Sequence, residues 1–234
     1  MKLFELIKNE LNIELTEIQI QQFDMFYNEL IEYNKKTNLT RITDRNEVDI
    51  KHFLDSLLLA KSFDLNKQIS LCDLGTGAGF PGIPLKIVFP NMRLVLVDSL
   101  GKRIKFLEKI IKDLKLENVS IINCRAEEYA LENQNKYDVV VSRAFSKLRI
   151  FLEIAMPLTK IGGYIIAMKG ANYKEEVLDC KGLLNVFHSK VIDEKKIVLP
   201  QKMGTRTNIK IQKNSHVQGY PRKYAMILKS EVKG

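Results

Sequence analysis

The chain is poor in the residues that build disulfide-stapled and metal-held folds. Its three cysteines, Cys72, Cys124 and Cys180, lie far apart, with no C-x-x-C pair and no histidine at ligand spacing. This argues against a structural zinc, and no bound metal is expected. It also argues against a disulfide framework, and a reducing cytoplasm is the simplest compartment. No apolar run approaches the ~18 residues of a membrane-spanning helix. The opening Met1-Lys2-Leu3-Phe4-Glu5 sets an acid where a secretory signal needs apolar residues. Repeats and low-complexity linkers are absent. Acids are scarce in one region. Residues 1–194 hold 27 Lys+Arg and 27 Asp+Glu, whereas residues 195–234 hold 10 Lys+Arg and one acid, Glu231. The whole formal charge of +9 therefore sits in the last 40 residues. Such a segment on a neutral body suits a polyanionic partner, or serves only as a solvated surface.

What is present suits one globular core, at 45% hydrophobic and 28% charged residues. The first 65 residues read as helical. Leu3, Leu6, Ile7 and Leu11 share a face, and Thr16 with Gln19 forms a capping box opening a longer helix to about Asn34. Another helix is expected from Glu47 to Phe63. From Ile69 short apolar strands alternate with amphipathic helices. Strands are expected at Ile69–Leu74, Arg93–Val97, Val119–Asn123, Tyr137–Val141 and Tyr164–Met168, with helices to about Phe89 and over Gly101–Lys115. That alternation predicts βαβ units and a mostly parallel sheet. Val191–Leu199 and Thr205–Gln212 read as a hairpin, which makes the last strand antiparallel. The expected fold is one α/β domain: a helical extension over 1–65, a sheet-based core over 66–212 and a basic tail over 213–234.

The most informative segment is Asp73-Leu-Gly75-Thr-Gly77-Ala-Gly79-Phe80-Pro81-Gly82. It joins the first strand to a helix. Glycines let the backbone turn and approach a ligand, and the helix start offers unpaired N–H groups. Asp98, ending the second strand, stands where an acid accepts the ribose hydroxyls of a nucleoside. Two cofactors fit. Gly77 to Gly82 matches G-x-G-x-x-G with an acid about 20 residues on, which suggests NAD. The longer frame, an acid two residues before three alternate glycines, suits S-adenosylmethionine (AdoMet), whose ammonium the acid receives. Pro81 removes a potential phosphate donor and disfavours NAD. A tight strand–helix turn without any ligand is the bland alternative.

Further residues extend the pattern: Asn34-Lys-Lys-Thr-Asn38-Leu39-Thr40, His52-Phe-Leu-Asp55-Ser56, Asp98-Ser99-Leu100-Gly-Lys102-Arg103, Arg125-Ala126-Glu127 and Ser142-Arg143-Ala144-Phe145. With the glycine loop, their order and spacing resemble the RsmG (GidB) family of bacterial 16S rRNA guanine-N7 methyltransferases over about residues 1–212. The resemblance implies a Rossmann-like methyltransferase sheet, AdoMet as cofactor, and a guanine N7 near the ribosomal decoding site as acceptor. It also implies 16S rRNA or the 30S subunit as partner, no membrane, and a cytoplasmic enzyme, expected here as a monomer. By position it implies that Gly75 and Phe80 line the AdoMet site with Asp73, Gly77 and Gly79. Asp98, Ser99 and Leu100 would hold the ribose region, Ala126 and Glu127 the adenine, and Arg143 would face the cofactor. The tail departs from the family, since Gly219-Tyr-Pro-Arg222-Lys223 runs into the apolar Tyr224-Ala-Met-Ile-Leu228.

Methyl transfer from a sulfonium is an in-line displacement, so positioning supplies most of the catalysis. Guanine N7 has a free lone pair and no proton, so no base is required. The sequence agrees: strand four ends in Ser142-Arg143-Ala144-Phe145, not in an Asn/Asp-Pro-Pro-aromatic motif, and no cysteine follows a proline. Arg143 is the one catalytic candidate, the alternative being an ion pair with Asp138 or another acid. Phe80, Phe145 or Tyr173 are candidates to stack on a flipped base. His52 and Asp55 share a helix face, and a hydrogen bond that docks the N-terminal helix near the substrate mouth is preferred to a general base. Asn38, His52, Asp55, Lys102, Arg103, Lys213, Arg222 and Lys223 are the candidate RNA contacts. Methylation of another substrate class, or RNA binding without catalysis, are the alternative functions.

Overall fold

A computed structural model of the chain describes residues 2–143, 145, 147–171 and 173–229. The helical start forms as the periodicity predicts. Helix α1 spans Leu3–Leu11 and α2 spans Glu17–Thr37, opened by the Thr16–Gln19 capping box. The next helical run is composite. Helix α3 (Arg45–Val48) passes through a π-helical turn (Asp49–Leu54) into α4 (Asp55–Leu57) and a 3-10 turn (Leu58–Lys61). The π-turn adds one residue per hydrogen-bonded ring, and such turns gather at functional sites. Here it carries His52 and leads directly into Asp55.

Seven strands follow: β1 Ser70–Leu74, β2 Arg93–Asp98, β3 Val119–Asn123, β4 Tyr137–Arg143, β5 Thr159–Lys169, β6 Lys190–Val198 and β7 Thr205–Gln212. Their order across the sheet is β3-β2-β1-β4-β5-β7-β6. The first five are parallel, and β7 inserts antiparallel between β5 and β6. The expected antiparallel last strand is thus present, but it lies inside the sheet and not at its edge. Strand order reverses between β1 and β4, whose carboxyl ends form the usual ligand crevice of such sheets. Helices α5 (Gly82–Val88), α6 (Gly101–Asp113), α7 (Ala126–Glu132), α8 (Leu148–Leu158), α9 (Tyr173–Asp179), α10 (Lys181–Val186) and α11 (Tyr224–Lys229) complete the chain.

The sheet has two apolar faces. One packs α5, α6 and the whole helical extension into a single core, in which Phe26 lies between Phe53, Phe80 and Phe106 at ring-centroid distances of 5.3–6.3 Å. Gln19 and Gln22 of α2 donate to the carbonyls of Ile87 and Leu114, tying the extension to that layer. The other face packs α7, α8, α10 and the tail residues Val217 and Ile227.

Candidate active site

Strand β1 ends at Leu74, and the chain turns sharply over β2. The N–H groups of Gly75 and Thr76 both donate to the Val97 carbonyl, at 2.9 and 3.1 Å. Gly75 has φ +66°, and a Cβ there would lie 2.4 Å from the Phe145 ring. Gly79 has φ +93°, and a Cβ there would strike Ile83 at 2.4 Å. Both positions therefore require glycine, for conformation and for space.

Asp73 is fully buried under this loop. Its Oδ2 accepts from the Thr76 hydroxyl at 2.7 Å and the Gly82 N–H at 2.9 Å, while its Oδ1 is buried without a partner. Burial lifts its carboxyl pKa to about 7, against the pull of those two donors. An unpaired buried carboxylate oxygen is costly unless a donor or cation meets it. The donor chemistry of an AdoMet ammonium fits this atom.

Asp98 ends β2, also buried. Its Oδ1 accepts from the Leu100 N–H at 2.9 Å, and its Oδ2 accepts from the Gly77 N–H and Arg103 Nη1, both at 3.0 Å. It fronts a cavity of about 310 Å³ lined by Gly75, Ser99, Ala126, Glu127 and Phe145, with Cys124, Arg125, Arg103 and Tyr224 also on its wall. Gly75, Asp98, Ser99 and the start of α7 thus share one hollow, whereas Asp73, Gly77, Gly79 and Leu100 are not on its walls. A larger cavity of about 610 Å³ opens between α1, α2 and α3 and touches none of these residues.

Arg143 stands elsewhere. It does not line the Asp98 cavity, and its partner is not Asp138, which binds Lys160 at 2.7 Å. Arg143 Nη1 donates to the Lys51 carbonyl at 2.9 Å and to Asp55 Oδ2 at 3.3 Å. Its guanidinium lies 4.9 Å from the Phe80 ring centroid. Asp55 also takes Arg206 Nε from β7, at 3.1 and 3.0 Å to its two oxygens. Burial pushes the Asp55 carboxyl up, while the two guanidiniums pull it back. This knot joins the helical extension, β4 and the hairpin.

His52 belongs to the same knot; it bonds not to Asp55 but to Thr40 and Arg143, and His52 and Asp55 dock this turn of the helical extension through Arg143 and Arg206. The His52 Nε2 faces the Thr40 hydroxyl at 2.9 Å, and Arg143 Nη2 approaches its Nδ1 at 3.2 Å. The Lys51 carbonyl, a pure acceptor, faces that same Nδ1 at 3.1 Å, so the ring nitrogen sits between a donor and an acceptor. Burial and the Arg143 charge lower its pKa to about 3. The ring is therefore neutral and a poor base at physiological pH. It stacks on Phe80 at 4.7 Å, and Phe80 packs on Phe26 at 5.3 Å. Phe80 is thus interior: its ring neither lines the Asp98 cavity nor is free to stack on a base. A second cavity of about 280 Å³ lies beside the knot, lined by Lys51, His52, Arg143, Met203, Gly204 and Arg206 among others.

The remaining predicted contacts separate into two groups. Lys102 and Lys223 are exposed, as is Asn38, a left-handed cap that ends α2. Arg103 is engaged by Asp98. Lys213 is buried, with Nζ donating to Asn135 Oδ1 at 2.7 Å and to the Thr159 carbonyl at 2.8 Å, and burial lowers its pKa to about 8. Arg222 grips the fully buried Glu153 with Nε at 2.7 Å and Nη2 at 2.6 Å. Lys213 is therefore not surface charge, and Arg222, a quarter exposed, is paired with a buried acid. Both are held by partners far away in sequence, Asn135 and Glu153, which composition does not reveal. Arg206 and Tyr224 lie outside the sequence candidates and no local motif marks them; Arg125 stands in the Arg125-Ala126-Glu127 segment but is given no role there.

Comparison with known proteins accords with this geometry. A family model described as GidB, rRNA small subunit methyltransferase G, matches residues 19–201. The "Ribosomal RNA small subunit methyltransferase G" of Acholeplasma laidlawii is 47% identical over 226 residues, covering 97% of this chain and 98% of that protein. The protein of that name from Lactobacillus johnsonii is 44% identical, covering 90% and 89%. Among solved structures, a SAM-dependent methyltransferase from Aquifex aeolicus superposes with TM-score 0.54 at 18% identity, covering 76% of this chain and 97% of that one. TYW2 of M. jannaschii in complex with AdoMet does so at TM-score 0.53 and 19% identity, covering 68% and 76%. These two share the fold. With its glycine loop, its paired acids Asp73 and Asp98 and a matched span of most of its length, the chain belongs to the GidB family of rRNA small subunit methyltransferases.

Proposed function

We propose that the chain transfers a methyl group from AdoMet to N7 of a guanine in 16S rRNA, near the decoding site. The observation that carries the cofactor half is the pair of buried acids flanking the glycine loop, one with an unpaired oxygen and one fronting the 310 Å³ cavity. Asp73 would receive the ammonium, with Gly75, Gly77 and Gly79 forming the loop beneath the cofactor. Asp98, still able to accept further hydrogen bonds, would take the ribose hydroxyls beside Ser99 and Leu100. Ala126 and Glu127 would border the adenine. The bound cofactor supplies the activated methyl.

The chain's own groups hold and orient. No proton need leave guanine N7, and His52, the one imidazole of the knot, is fixed neutral with a pKa of about 3. Arg143 acts as a positioning residue that locks the π-helical turn against β4. The neighbouring 280 Å³ cavity carries Lys51, Arg143 and Arg206, with Asp55 buried behind them, and suits an anionic substrate. Exposed Lys102 and Lys223 add docking charge. In A-form RNA N7 faces a narrow groove, so the target guanine must be unpaired or flipped. The working unit of this reading is a monomer, in the cytoplasm where 30S subunits are built. Label from tritiated AdoMet should enter 30S subunits and map to one guanine N7. Label entering only protein or small molecules would reject the reading.

A further inference from the structure

The basic tail reaches the cavity proposed for the cofactor. From Lys213 the chain is held stepwise. Val217 is buried, Tyr220 meets the Phe187 ring edge-on at 4.9 Å, and Arg222 clamps Glu153. Helix α11 then buries Ile227 against the α8 layer, and Arg149 Nη2 donates to the Ile227 carbonyl at 2.8 Å. These anchors bring Tyr224 to the wall of the cavity that also holds Gly75, Asp98, Ala126 and Phe145. The Arg125 guanidinium backs the Tyr224 ring at 5.1 Å.

We propose that Tyr224 is a cofactor-binding residue: its ring, backed by Arg125, walls the purine end of the AdoMet cavity, so the tail completes that site. The inference rests on the cavity being the AdoMet site. Its physical basis is that an aromatic ring presents apolar area at small entropic loss and packs well on a purine. The tail thereby adds cofactor retention to the docking charge of Lys223. A ring placed there binds the adenine moiety of substrate and by-product cofactor alike.

Calorimetric titration of the full-length protein with AdoMet, S-adenosylhomocysteine and adenosine tests this. Tyr224→Ala should weaken all three by a similar factor, roughly five- to thirtyfold for a lost aromatic–base contact. Tyr224→Phe should bind as wild type. Ile227→Asp, which frees α11 from its anchor outside the cavity, should reproduce the loss of Tyr224→Ala. Asp98→Ala serves as the reference for the cavity itself. If Asp98→Ala binds AdoMet normally, the cavity is not the cofactor site and the proposed function loses its support. If Asp98→Ala fails to bind while Tyr224→Ala binds all three ligands as wild type, the inference about the tail is wrong and the cofactor reading stands. Loss of AdoMet binding in Tyr224→Ala with adenosine binding unchanged also overturns it, because the contact would then not be to the purine.

Discussion

The sharpest consequence of the buried loop concerns Asp73. Its free carboxyl has a pKa of about 7, raised by burial from an ordinary 3.8. A cationic ammonium at its unpaired oxygen favours the ionised form, so binding must release a proton wherever Asp73 starts protonated. AdoMet affinity then follows the ionised fraction: about 3% at pH 5.5 and about half at pH 7, for a pKa of 7. The dissociation constant should fall about fifteenfold over that interval, on the order of 1.6 kcal/mol. The ligand's own α-amino group titrates at about 7.7–8, above this window, and does not contribute. Calorimetry at pH 5.5, 6 and 7, repeated in buffers of different ionisation enthalpy, reads both the affinity and the proton released. Asp73→Asn should bind more weakly and lose the pH dependence. An affinity flat from pH 5.5 to 7, with no proton exchanged, would refute the reasoning.

The other predictions concern the supports of the site. Asp55→Ala leaves Arg143 and Arg206 facing each other without their carboxylate. Removing one partner of such a knot costs about 3–5 kcal/mol, so the melting temperature should drop by roughly 6–20 °C; a melting curve like wild type's would show that the knot is not structural. His52 is held neutral by burial, with a pKa near 3 against 6.5 unfolded. Its contribution to stability is complete above pH 6.5 and is lost as pH falls toward 3, amounting to about 2 kcal/mol at pH 5. Urea denaturation at pH 7 and 5 should show His52→Gln losing that much less than wild type. Asp73, raised in pKa, acts in the opposite sense, losing stability as pH rises from 3.8 toward 7, so only the difference between the two proteins is diagnostic. Lys213→Ala should lower stability by about 2–4 kcal/mol through its two lost charged hydrogen bonds, and leave the salt dependence of RNA binding unchanged. Lys223→Gln should do the reverse, reducing the salt slope by about 0.7–0.9 with no change in melting.

The sequence alone determined the parts whose physics is local. The capping box at Thr16 and Gln19, the glycines around Asp73, and the alternation of strand and helix each fix nearby backbone, and all three appear where the pattern placed them. Asp73 and Asp98, the acids proposed to hold the cofactor, are legible because a strand end and the following loop are a few residues long. Helices α7, α8, α9, α10 and α11 are not legible in the sequence pattern. Helix α8 contains Pro157 and runs without a break into β5, so no turn signal separates helix from strand in the sequence. What tertiary structure decided were the fates of the long charged side chains. Lys213, Arg222 and Arg143 look alike in sequence to Lys223, yet three are held by Asn135, Glu153 and Asp55, while Lys223 is exposed. A charge is solvated or sequestered according to what the fold brings beside it, and those partners lie 69 to 88 residues away. The excess of +9 was countable from composition. Its division between anchors inside the fold and docking charge outside it was set only when the chain closed on itself.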